Sequence, residues 1–185
     1  QYNLTLLDYL GPYSDGQKLS EIGISQPSPG TSDSILQKKS EQQPYLQAEK
    51  ARVIREAETT VDIQITARYK PDNPDDHETD RNNYTETEYL SALRITDLRR
   101  IEADLIEAFV PVADEKSGGF AEFRKKVTKR NSLVDRLRQL TLPAIDDVKD
   151  GLESYTETKQ RADELEAKIE QTDQLIDEIV YELYG

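Results

Sequence analysis

The most regular pattern of hydrophobic positions lies at the C-terminal end of the chain. From Thr158 the apolar or small residues step as Ala162, Leu165, Ile169, Thr172, Ile176, Ile179 and Leu183, in alternating fours and threes. This is the seam by which one helix lies along another, with Leu165, Ile169, Ile176, Ile179 and Leu183 as its large members. Upstream, Ile145, Val148, Leu152 and Tyr155 keep the same alternation, but Tyr155 to Thr158 is a step of three where four was due. Such a stammer overwinds a helix locally, so the two halves are expected to pack separately. Thr141, Pro143, Asp146 and Asp147 offer a cap, a fixed φ and acids suited to a first helical turn. The pattern therefore predicts one amphipathic helix over 142–184, packed in a helical hairpin or bundle.

Two further helices are predicted before it. Leu98, Ile101, Leu105 and Ala108 form a buried stripe over 97–110, with Asp97 as cap and Pro111 as terminator. Phe120, Phe123, Val127, Val134 and Leu137 recur at helical spacing over 119–140, with Lys125, Lys129, Ser132 and Arg136 on the opposite side. Earlier, the period changes to two. Val61, Ile63, Ile65, Ala67 and Tyr69 alternate with Asp62, Gln64, Thr66 and Arg68, which is the pattern of a half-buried strand. Its expected partner is Ala51 to Ala57, across a turn at Glu58 and Thr59. A second strand is expected from Tyr84 to Ile95, after an exposed acidic loop at 71–83. The first fifty residues show one apolar cluster, Leu4, Leu6, Leu7, Tyr9 and Leu10, followed by closely spaced Gly and Pro, and are expected to be loop.

These elements add up to an α+β chain, mostly α, with a small antiparallel hairpin or sheet in its N-terminal half. Three regions follow: a loop-rich segment 1–47, a β region 48–96 and a helical region 97–185. No apolar stretch approaches the roughly 20 residues that span a bilayer. Gln1 to Tyr13 lacks a basic segment followed by an apolar run, so no signal peptide is expected. The chain has no cysteine, which excludes disulfides and thiol chemistry and permits a reducing, cytoplasmic setting.

The net charge of −13 argues against nucleic acid, but the charge is unevenly spread. Between Phe120 and Leu140, Arg124, Lys125, Lys126, Lys129, Arg130, Arg136 and Arg138 face only Glu122 and Asp135, and acids dominate beyond Pro143. The candidate DNA-contacting set is therefore Arg124, Lys125, Lys126, Lys129, Arg130, Ser132 and Arg136, which could track successive phosphates. Alternatively these bases pair with acids of the following helix, such as Glu153 or Glu157. The acidic excess also suits molar salt, where screening shortens to about 3 Å.

Catalytic motifs are missing. A methyltransferase acting on adenine needs an Asn/Asp-Pro-Pro-aromatic loop for the flipped base, and no Pro-Pro pair occurs. Glu166 and Lys168, the plausible Glu-x-Lys of a magnesium nuclease, fall inside the long helix, where positions two apart diverge. The loop acids Asp72, Asp75, Asp76, Glu78 and Asp80 lack calcium-loop spacing, and the one histidine, His77, has no second histidine with which to hold zinc. Neither metal nor cofactor is expected in this chain.

The terminal run Glu170-Gln171-Thr172-Asp173-Gln174-Leu175-Ile176-Asp177-Glu178-Ile179-Val180-Tyr181-Glu182-Leu183-Tyr184-Gly185 resembles the helix that follows the target-recognition region in Type IIG restriction-modification adenine methyltransferases. Leu6-Leu7-Asp8-Tyr9-Leu10-Gly11, Thr66-Ala67-Arg68-Tyr69-Lys70-Pro71, Tyr84-Thr85-Glu86-Thr87-Glu88 and Glu102 to Val112 look like matching segments of members from salt-loving archaea. Related C-terminal helices occur in Type I specificity subunits and in phage-defence methyltransferases. The resemblance implies the DNA-recognition and helical end of a longer polypeptide, non-catalytic by itself, with S-adenosylmethionine and magnesium used only by the parent. The implied partners are double-stranded DNA and the methyltransferase part of the parent, while the heptad seam is satisfied either within the chain or by a second copy in a homodimer. The alternative is a docking or dimerisation module that does not touch DNA.

Overall fold

The computed structural model describes residues 6–27, 34–43, 46–115 and 133–184. It shows an α+β head from which one long helix extends. The head centres on an antiparallel hairpin of β3 (Gln47–Ala57) and β4 (Thr60–Tyr69), joined across Glu58 and Thr59. As the alternation predicts, Val61, Ile63, Ile65 and Ala67 are buried. Asp62 and Thr66, on the opposite parity, are buried as well. Asp62 accepts hydrogen bonds from Ser91 Oγ at 2.6 Å and Gln64 Nε2 at 2.9 Å, so its carboxylate is satisfied where it sits.

The strand expected over Tyr84 to Ile95 is two pieces, β5 (Thr85–Glu86) and β6 (Leu90–Thr96), both paired with β4. Ala92 is the extra residue of a bulge, since Ile63 faces Leu93 while Gln64 faces Ser91. This shift breaks the simple parity, and Ala92 and Leu93 are both buried. β2 (Ile24–Gln26) completes the order β2-β6-β4-β3, with β5 on β4 beyond the end of β6. A separate small ladder joins β1 (Asp15–Lys18) to β7 (Thr141–Pro143).

Three expectations are corrected. The first fifty residues are not merely loop: they hold α1 (Leu6–Leu10), β1, β2 and α2 (Ile35–Gln42), with Leu6, Leu10, Leu19, Ile22 and Leu36 in the core. Gly11, in the left-handed region at φ 64°, stops α1. The helix with the Leu98 stripe, α3 (Arg100–Glu115), runs through Pro111 rather than ending there. Burial of Phe109, Val110 and Ala113 around that proline offsets the lost backbone hydrogen bond. The long helix, α5 (Ile145–Tyr184), starts three residues later than expected, because Thr141–Pro143 pairs with β1. Of the helix expected over 119–140, residues 119–132 lie outside the described residues, and the described part is α4 (Leu133–Arg138), followed by a turn at Gln139.

One continuous core joins what the sequence divides into three regions, from Leu6 and Leu19 through Ile63 and Leu105 to Val148 and Leu152. α3 lies across β3 and β4, while α4 packs against α2 and β6. Arg55 of β3 ties the hairpin to α3: its Nη1 is 2.9 Å from both Asp104 and Glu107, and its other nitrogens bond the carbonyls of Ala57 and Glu58. No helix among the described residues is long and apolar enough to cross a membrane.

Candidate functional site

α5 has 40 residues, a rod about 60 Å long at 1.5 Å per residue, and its two parts live in different surroundings. Its start is clamped to the head. The Ala144 N–H donates to the Ser14 carbonyl, and the Asp147 carboxylate accepts from both the backbone N–H and the hydroxyl of Ser14. Those Ser14 hydrogen bonds, hydroxyl first, hold the Asp147 carboxyl below the usual carboxylate range. Val148 and Leu152 are buried, and α5 packs here against α1 and α3. Tyr155 meets the edge of Tyr9 with ring centroids 5.7 Å apart. At Gly151 the backbones come so close that an added Cβ would lie 2.1 Å from the Tyr9 carbonyl oxygen.

Beyond Tyr155 the surroundings change abruptly. Every residue from Thr156 to Tyr184 is exposed. The predicted seam lies on this part, with Leu165 60%, Ile169 52%, Ile176 51%, Ile179 49% and Leu183 70% exposed. Leu175 and Val180 flank the seam and widen it. Thr172 also suits such a face, because its hydroxyl donates to the Lys168 carbonyl at 2.9 Å and needs no other partner. An isolated helix of ordinary composition is marginal in water, and most helical stability comes from covering an apolar face. Among the described residues, none covers this apolar stripe.

The basic candidates are placed differently. Arg124, Lys125, Lys126, Lys129, Arg130 and Ser132 lie outside the described residues. Arg136 is described and buried in α4, not displayed on an open basic face. Its neighbour Arg138 is also buried and serves the architecture, bonding Asp135 at 3.1 Å and the Pro27 carbonyl. On the sheet, Arg55, Arg68 and Arg94 are engaged by acids, and Arg52 lies 4.0 Å over the Tyr89 ring. α5 itself carries thirteen acids and four bases, a field that repels phosphate.

A family model described as a domain of unknown function (DUF8810) matches residues 115–180. That stretch contains α4, β7 and nearly all of α5, and it starts at the last residue of α3. No curated protein matches the chain, and no solved structure does.

Candidate chemistry is not assembled elsewhere in the head. Among the described residues no group of three or more His, Asp or Glu is placed to hold a metal ion. Asp80 organises its own loop: the Tyr84 N–H first, and with it the Asn82 N–H and the Arg68 guanidinium, keep its carboxyl below the ordinary range although desolvation acts in the opposite direction. His77 and the loop acids Asp72, Asp75, Asp76 and Glu78 are exposed. In the cleft between α3 and α5, lined by Asp104, Glu107, Lys159 and Asp163, the carboxylates of Asp104 and Glu107 are engaged by Arg55. Sequence reasoning found the seam through its heptad spacing. It missed Gly151, because a close backbone approach leaves no periodic signal.

Proposed function

We propose that this chain is a non-catalytic helical spacer of a restriction-modification adenine DNA methyltransferase, which acts by docking the α5 seam on another helix rather than by contacting DNA. The observation that carries the docking role is the change along α5 from a buried face at Val148 and Leu152 to a fully exposed apolar seam from Leu165 to Leu183. The enzyme class rests on the resemblance of the terminal run and of the shorter upstream segments. On this view the head fixes where the arm begins and in which direction it leaves, and the arm holds another subunit or domain in place. Nuclease and methyl transfer, with their magnesium and S-adenosylmethionine, belong to the parent enzyme.

Direct DNA contact is the competing role for the same chain. It rests on the bases between Arg124 and Arg130. A duplex titration at low and high salt separates the two. Docking without DNA contact predicts no salt-dependent duplex binding by this chain. Binding at low salt that weakens as salt is added, and falls again on Lys125→Glu/Lys129→Glu, would assign phosphate contact to it and overturn the proposal.

A further inference from the structure

We infer that the partner of the α5 seam is a second copy of the same helix, aligned parallel and in register over residues 162–183. The inference rests on the docking role proposed above and names its occupant. Its warrant is the charge pattern beside the seam. With Ala162, Ile169, Ile176 and Leu183 at a, and Leu165, Thr172 and Ile179 at d, the flanking positions follow. Arg161, Lys168, Leu175 and Glu182 stand at g, and Glu166, Asp173 and Val180 at e. In a parallel pair each g residue meets the e′ residue five positions further along the other helix. Arg161 then faces Glu166 of the second copy, Lys168 faces Asp173, and Leu175 faces Val180. Each of the three pairs is complementary, twice over by symmetry.

The antiparallel alternative is less favourable on the same residues. There e faces e′ and g faces g′: the closest alignments set Asp173 against either Glu166 or its own counterpart, acid on acid, and the attraction of Arg161 for Glu182 of the second copy replaces both g–e′ ion pairs of the parallel form. The arm's other acids do not oppose the parallel pair strongly. Asp163, Glu164, Glu170, Asp177 and Glu178 fall at b and c, on the outer face, where salt screens them, and Glu182 at g has no e′ residue opposite it within α5.

The head leaves room for the second helix. At 100° per residue the three-residue step at Tyr155 and the drift of a 3.6-residue helix turn the distal stripe roughly 100° from the face packed on the head. A second arm can therefore lie along α5 without displacing α1 or α3.

Because the chain has no cysteine, orientation can be read from single-cysteine variants of the intact chain at exposed positions. Under thiol-disulfide exchange, Ala162→Cys and Leu183→Cys should each join to their own kind, with like disulfides exceeding mixed ones at least about tenfold when the two are combined. Predominance of the mixed 162–183 disulfide would overturn the parallel alignment. Sedimentation equilibrium of Arg161→Glu/Lys168→Glu should show dimerisation weakened at least about tenfold, with recovery when Glu166→Lys/Asp173→Lys is added. An unchanged dimer would overturn the g–e′ pairing. A monomeric wild-type chain would overturn the second copy as partner, while the docking role itself fails on salt-dependent duplex binding.

Discussion

Truncating Leu152 to alanine is expected to lower the unfolding free energy of the head by about 2–5 kcal/mol, whereas truncating Leu165 in the same helix should change it by less than about 0.5 kcal/mol. Both are leucines with the same intrinsic helix propensity, so the contrast isolates packing. Leu152 is 3% exposed and belongs to the core shared with α1 and α3, where removing its branch leaves a cavity lined by side chains that relax only in part. Leu165 is exposed and touches no core residue, so its loss acts on association of the arm instead. Urea unfolding followed by a probe in the head, at low protein concentration, measures both. Equal destabilisation would mean that the distal arm is part of the folding unit.

Gly151→Ala should produce the second large effect, and its sign is informative. In an exposed helix this change stabilises by about 1 kcal/mol, since glycine is the poorer helix former. Here the new methyl would fall 2.1 Å from the Tyr9 carbonyl oxygen and 2.9 Å from the Tyr9 carbonyl carbon. The obstacle is backbone and has no rotamer with which to yield. α1 would have to retreat by roughly 1 Å or more, losing contacts at Leu6 and Leu10, and overpacking of this kind costs about 1–3 kcal/mol. A net loss in thermal unfolding, together with a weakened Tyr9–Tyr155 contact, is expected. A gain would show that α1 is not seated on α5.

The parts of the fold legible in the sequence are those whose neighbours lie close along the chain. The hairpin of β3 and β4 showed itself because Val61, Ile63, Ile65 and Ala67 alternate and the turn at Glu58 and Thr59 is short. The seam of α5 showed itself because seven positions repeat without a break. The N-terminal region was opaque for the opposite reason. Leu6, Leu19, Ile22, Leu36 and Leu46 each enter the core singly, from short elements too brief to display a period. Their burial comes from distant partners, as where the Leu19 N–H donates to the Leu140 carbonyl.

The same logic applies to the candidate site. Arg136 shares a helical face with Lys125 and Lys129 in the sequence pattern, and that spacing suggested an exposed stripe. Its burial in α4 reflects packing against α2 and β6, which no local pattern encodes. Pro111 misled in a similar way, because a proline ends an isolated helix more readily than one pinned on both sides by buried side chains. The charges at Arg161, Glu166, Lys168 and Asp173 form no catalytic or metal-binding pattern, and they gained meaning once the structure left the seam uncovered.

The seam's occupant is tested most directly by hydrogen exchange of the backbone amides from Ala162 to Leu183 in the intact chain, measured across a range of protein concentrations. Pairing with a second copy predicts protection that grows with concentration and disappears in Ile176→Glu, while amides of β4 and α3 stay protected throughout. Exchange of the arm at one concentration-independent rate, unaltered by Ile176→Glu, would contradict it.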